Sequence, residues 1–360
     1  MLEDRLNQQV YEERLEKLVS RLRSSSVEAV VLTSPANIYY FTGFRHGVLV
    51  VSGDGVASIF SNVPVNTPLA GRISIVEKMG RRDVVQLALE YIGDRRMTLG
   101  YDYMTVDTYQ SVIKSYPSLS LTSVKDMIFE QRQTKSEGEI ELLRKASEIV
   151  STAVDVVREI ITDGTTPSDI RRVVADTVYR YGAELSSNPR IEVGEDTFLL
   201  NDSPANRGIR QNELIKITVS ASVDGYVSYL SRTFFFGGKT PEKIVKSYQQ
   251  LLRLKDYIKS LLGVWSSAVS IYDRSRAFAL EIGLEPTTLT TFGRGLGIEG
   301  EEPPFIQSGS PDIIREGTVV SVGPDLLLPG RYGLSVTDVY HVTAKNVVQL
   351  TEAETELEIR

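Results

Sequence analysis

A chain of 360 residues with 41% apolar residues is long enough for two domains and a substantial core. Its formal net charge of −7, with no block of Lys and Arg anywhere, excludes a broad nucleic-acid or anionic-membrane surface. Without cysteine there is neither a disulfide frame nor a thiolate metal site, a composition that reads as cytoplasmic.

The charged opening MLEDRLNQQVYEERLEKL predicts a helix over Leu2 to Arg23, with Leu6, Val10, Leu15, Leu18, Val19 and Leu22 near helical spacing. It has no signal-peptide character, and no apolar run reaches membrane-spanning length. Glu28 to Thr33 is a buried-strand pattern, Asn37 to Phe44 a tight aromatic segment, and Gly47 to Ser52 a further strand. Helix and strand patterns then alternate through 83–92, 97–101, 106–116 and 119–122. That alternation predicts an α/β N-terminal domain over residues 1–126.

Polar residues cluster over a linker at 127–138, and a second domain spans 139–360. It opens with a helix from Glu139 whose stripe runs Ile140, Leu143, Ala146, Ile149, Val150, Ala153, Val157 and Ile160. Thr166-Pro167-Ser168 starts the next helix, since proline is at home in a first turn. Leu214 to Phe236, LIKITVSASVDGYVSYLSRTFFF, reads as a β-hairpin turning at Asp224-Gly225. Helices over 241–262 and 270–282 follow, and strands return at 317–322, 326–328 and 336–342. Helices flanking a curved antiparallel sheet make this half α+β.

The segments NIYYFTGF, QRQTKS, DGYVSYLSRTFFF, GRGLGIEGEEPPF, EGTVVSVGPDLLLPGRYGL and SVTDVYHVT occur in that order along essentially the whole chain. Together they resemble the creatinase, prolidase and aminopeptidase P group. The resemblance implies a pita-bread C-terminal domain behind a smaller α/β domain, Xaa-Pro dipeptidase-like chemistry and a homodimer. It also implies a cleft in which two aspartates, a histidine and two glutamates hold two divalent metal ions. Such ions lower the pKa of a bridging water and polarise the scissile carbonyl.

Motif by motif, those ligand positions fall on Thr218, Tyr229, Arg294, Gly323 and Thr337. Four carboxylates and a neutral imidazole thereby become a set whose only charge is the arginine, a shift of five units toward positive. The group's two proton-handling histidines fall on Asn201 and Glu301, and asparagine cannot shuttle a proton near neutral pH. The expectation is a catalytically degenerate peptidase homologue, without metal or cofactor, keeping a cleft for a peptide, small molecule or protein partner. An active Xaa-Pro dipeptidase with relocated ligands, drawn from Asp224, Glu299, Glu301, Glu302 or Asp338, is the first alternative. A metal-free creatinase-like hydrolase is the second.

Arg294 is expected to reach into the vacated position and to be held by Glu299, Glu301 or Asp338. Loss of thermal stability in Arg294→Ala would mark an internal ion pair, and loss of ligand binding an anchor. Glu302, the Pro303-Pro304-Phe305 turn and Arg232 read as scaffold. His46 and His341, the only histidines, read as packed or surface residues, and no Ser-His-Asp or Cys-His set assembles from them. GRGLG lacks the lysine and hydroxyl of a phosphate-binding loop.

Overall fold

The computed structural model describes residues 6–78, 83–199, 206–284 and 291–359, in two compact units, Met1–Arg132 and Gln133–Arg360.

In the first unit the order is α1 (Gln8–Arg23), β1 (Ala29–Leu32), α2 (Pro35–Thr42), β2 (Val48–Ser52), β3 (Ala57–Ser61), β4 (Ser74–Glu77), α3 (Val84–Ile92), β5 (Met97–Tyr101), α4 (Val106–Ser115), β6 (Leu119–Ser123) and α5 (Lys125–Gln133). Its strands form one mixed sheet ordered β4-β3-β2-β1-β5-β6. Val31, Val48, Val50 and Leu99 on that sheet pack against Leu87, Ala88 and Ile92 of α3, burying the apolar faces of both. The aromatic segment is helix α2, with Ile38, Tyr39, Tyr40 and Phe41 all buried. The stretch expected as a linker is helical except at 134–136: its first part lies in α5, and its last two residues open the next helix.

The second unit begins with α6 (Glu137–Ile160) and α7 (Pro167–Arg180), each opened by a capping box, Ser136 with Glu139 and Thr166 with Asp169. Short strands β7 (Glu184–Leu185) and β8 (Arg190–Val193) and a 3-10 turn (Gly194–Phe198) lead into β9 (Glu213–Val223) and β10 (Tyr226–Phe236). These two strands form the expected hairpin, in register from Val223↔Tyr226 to Glu213↔Phe236. Asp224 and Gly225, at φ 46° and 84°, are the two left-handed residues that a tight hairpin turn requires.

Then come α8 (Glu242–Leu261), α9 (Ala268–Glu281), β11 (Thr291–Gly295), β12 (Glu302–Gln307), β13 (Thr318–Val322), β14 (Asp325–Leu328), β15 (Tyr332–Ser335), β16 (Asp338–Val342), β17 (Val347–Gln349) and β18 (Glu358–Ile359). One sheet runs β18-β10-β9-β7 with β8 also on β9, a second runs β12-β11-β13-β16-β17, and β14-β15 is a separate ribbon. The Thr337 amide donates to the Ser231 carbonyl at 3.0 Å and links the first sheet to the start of β16. Apolar side chains of α8 and α9, among them Leu251, Leu254, Ile258 and Ile271, pack with Phe292, Val320, Val322 and Tyr340 in one core.

Several strands have no clear signal in the sequence. β3, β4, β7, β8, β11 and β12 are short, and β11 and β12 carry the glycines and prolines of GRGLG and EPPF, which argue against strands locally. The Pro303-Pro304-Phe305 turn is corrected accordingly: all three residues lie in β12, with a cis bond between the prolines.

Candidate functional site

Strand alternation gives the hairpin two chemically distinct faces. Thr218 and Ser231 are directly opposed across it, and their hydroxyls hydrogen-bond at 3.1 Å. Ser220 opposes Tyr229 on the same face. Ser228, Leu230 and Arg232 project the other way, where the Ser228 hydroxyl meets Ser147 of α6 at 2.8 Å.

The first face floors a cavity of about 520 Å³. Thr218 and Tyr229 from the hairpin, Arg294 from β11, Gly323 after β13 and Thr337 before β16 all line it, so the five positions expected together are together. Glu301 also lines it. The Arg294 guanidinium lies 5.1 Å from the centre of the Tyr229 ring and pairs with Glu301 at 2.6 Å. Gly323 is required by close approach, because a Cβ there would meet the Thr337 Oγ1 at 1.8 Å and its Cβ at 2.5 Å. Burial pushes the Tyr229 phenol above its ordinary pKa and Asp325 adds to that, while Arg294, Arg190 and a hydrogen bond with Thr218 only partly offset it. The phenol is therefore a hydrogen-bond donor throughout the neutral range.

Two expected cleft residues are elsewhere. Asp338 is wholly buried on the far side, since the residue after cleft-facing Thr337 must point away from it. Its carboxylate pairs with Arg232 at 2.6 Å and with the Lys255 ammonium of α8. Arg232 donates its remaining N–H groups to the carbonyls of Ser231, Thr337, Ala353 and Glu354, so all its donors are used and its scaffold role holds. Burial alone would push the Asp338 carboxyl up, but these cations overcome it and hold the pKa below the ordinary value. Glu299 does not line the cavity either. Glu301, not Glu299 or Asp338, is the carboxylate that holds Arg294. Asn201 lies outside the described residues.

Glu302 is buried in an ion pair with Lys135 at 2.7 Å, again as scaffold. His46 is exposed beside Phe44, and His341 is half-buried on β16 with its pKa lowered, first by burial; neither lines the cavity. Among the described residues, no group of three or more His, Cys, Asp or Glu side chains could hold a metal ion.

Arg190 and Asp325, which also line the cavity, escaped the sequence reading. Arg190 is opposite Thr218 in the β8–β9 register, and alternation along RIEV turns Arg190 to the side of Thr218 and Ile191 away. Two residues on, Glu192 opposes Lys216. Both are buried, 4.0 Å apart, and the Lys216 ammonium also donates to the carbonyls of Thr197 and Leu199. Burial raises the Glu192 carboxyl to about 7, with Lys216 and Arg190 opposing it.

Comparison with known proteins places this architecture. The model of metallopeptidase family M24 matches residues 141–344, and the creatinase/prolidase N-terminal domain matches residues 14–134. The chain belongs to metallopeptidase family M24. It is 26% identical over 352 residues to a Xaa-Pro dipeptidase of Pyrococcus furiosus, covering 96% of this chain and 99% of that protein. A prolidase structure from Thermococcus sibiricus superposes with TM-score 0.86 at 21% identity, covering 97% of this chain and 98% of the other. A dipeptidase structure from Mycobacterium ulcerans gives 0.89 at 19% identity, with 99% of each chain covered. The second unit is thus the family's pita-bread domain, and the first its creatinase/prolidase N-terminal domain. Among the described residues no helix is long and apolar enough to cross a membrane.

Proposed function

We propose that this chain is a catalytically degenerate Xaa-Pro peptidase homologue whose pita-bread cleft binds a ligand without metal. One observation carries the reading. The five positions that the family resemblance equates with metal ligands line a single cavity as Thr218, Tyr229, Arg294, Gly323 and Thr337. This donor set does not fit a pair of hard divalent cations, which need several anionic oxygens and are repelled by a guanidinium. The packing has moved with the chemistry: the Thr337 side chain occupies the space that a side chain at Gly323 would need, and Arg294 lies over Tyr229.

Relocated ligands are disfavoured by what the candidate carboxylates already do. Asp338 is bound to Arg232 and Lys255, Glu302 to Lys135 and Glu301 to Arg294, while Asp224 sits in the hairpin turn. The working form is proposed as a cytoplasmic homodimer, on the cysteine-free composition and the family resemblance; cell fractionation and light scattering test these two points.

Elemental analysis of the purified protein, together with Xaa-Pro dipeptide hydrolysis with and without added Mn²⁺ or Co²⁺, tests the function. No bound metal and no turnover are expected. Stoichiometric metal with turnover would establish an active dipeptidase instead, and turnover without metal a creatinase-like hydrolase.

A further inference from the structure

The cleft contains an uncommitted cation. Arg190 lines the cavity opposite Thr218, and among the described residues its guanidinium enters no hydrogen bond or ion pair. Arg294, on β11, is engaged differently. Its partner Glu301 is 65% exposed while Arg294 itself is 28% exposed, so the carboxylate reaches in from the solvent side as a tether that water or a competing anion can replace.

Around these two cations the wall is rich in donors. The Tyr229 phenol feels the charge of both arginines and stays protonated, which puts an O–H donor within the field of each guanidinium. The Thr337 hydroxyl lines the cavity too, as do those of Ser187 and Ser220, which bond each other at 2.7 Å and leave one of their two protons for a ligand. Planar guanidinium forks and hydroxyl donors match the oxygens of a carboxylate or phosphate, and they gain strength where water is partly excluded. Among the described residues, Asp325 is the one further carboxylate in the wall and opposes such a ligand.

We propose that the cleft is an oxyanion site: Arg190 and Arg294 take the carboxylate or phosphate group of a small ligand, and Glu301 is the resident counter-anion that the ligand displaces from Arg294. The proposal rests on the metal-free reading of the cleft and adds the ligand's chemical class. It also makes Glu301 an internal competitor, so that removing its charge should improve binding while removing that of Arg190 should weaken it.

Calorimetric titration of the full chain after chelator treatment tests this, with inorganic phosphate and N-acetylglycine as probes and N-acetylglycinamide as the uncharged control. Saturable binding of at least one anion and none of the amide is expected, and the tighter of the two anions assigns the source of the oxyanion. Arg190→Gln should weaken that binding about tenfold or more, as for a lost charge-assisted contact, and Glu301→Gln should tighten it by about threefold or more. Glu301 is mostly exposed, so its variant keeps the test alive if Arg190→Gln folds poorly. Binding of the amide equal to the anion, unchanged affinity in folded Arg190→Gln, or weaker binding in Glu301→Gln would overturn the proposal. Metal-free protein that binds neither anion would overturn this inference alone, whereas stoichiometric metal in the cleft would overturn the functional reading beneath it.

Discussion

The two faces of the hairpin hold arginine–carboxylate pairs of opposite character. Behind it, Arg232 and Asp338 are both wholly buried, with every guanidinium donor used and Lys255 as a second cation on the same carboxylate. In front, Arg294 and Glu301 are 28% and 65% exposed. The same ion-pair chemistry therefore does different things. A buried pair is tied to the fold, because removing one partner strands the other charge in a medium that cannot solvate it. An exposed pair contributes little to stability and can be exchanged for another partner.

The sharpest way to break this contrast is Asp338→Asn. It strands Arg232 and Lys255, and chemical denaturation should show a loss of about 3–5 kcal/mol. Because the folded pKa of Asp338 is depressed, its contribution is present above the ordinary carboxylate range and is lost as pH falls through the folded value. Wild-type protein should show that acid-side loss, and the variant should not.

A second test lies further along the cleft face, where Glu192 is buried beside Lys216 with neither carboxylate oxygen hydrogen-bonded among the described residues. Its folded pKa is raised to about 7, so this group's contribution is fully present below the unfolded carboxylate pKa and declines as pH rises toward 7. Glu192→Gln should therefore gain stability relative to wild type between pH 5 and pH 8, by about 3 kcal/mol at most. A difference in stability that does not vary with pH would contradict this.

Gly323→Ala probes the close packing of Gly323 against Thr337 in the cleft. Its new Cβ meets Thr337 and should cost about 1–3 kcal/mol. Thr337→Gly in the same chain should recover most of that, a coupling that a double-mutant cycle measures. The smallest effect belongs to Arg294→Ala, expected to cost less than about 1 kcal/mol of stability while weakening anion binding. A large loss of thermal stability there would erase the distinction between the two faces.

Much of this organisation was legible in the sequence. Alternation and Asp224-Gly225 specified the hairpin and hence which residues share a face, and ordered motifs brought Thr218, Tyr229, Arg294, Gly323 and Thr337 to one cavity. Sequence adjacency to Thr337 does not bring Asp338 into the cleft, because neighbouring residues in extended chain point to opposite sides. Arg190 was missed because β8 has only four residues and acquires its meaning from its register with β9, a long-range pairing that no local pattern encodes. The pairing of Asp338 with Arg232 and Lys255 likewise joins β16, β10 and α8, segments far apart in the chain.

The central claim is that the cleft has exchanged a pair of metal ions for an internal cation. Paramagnetic resonance of free Mn²⁺ titrated into chelator-treated protein tests it most directly, because bound ion leaves the free-ion signal. The free signal should rise in step with added Mn²⁺ from the first addition, as in buffer alone. A lag equivalent to two ions per chain, reduced in variants of the cleft residues, would contradict the account.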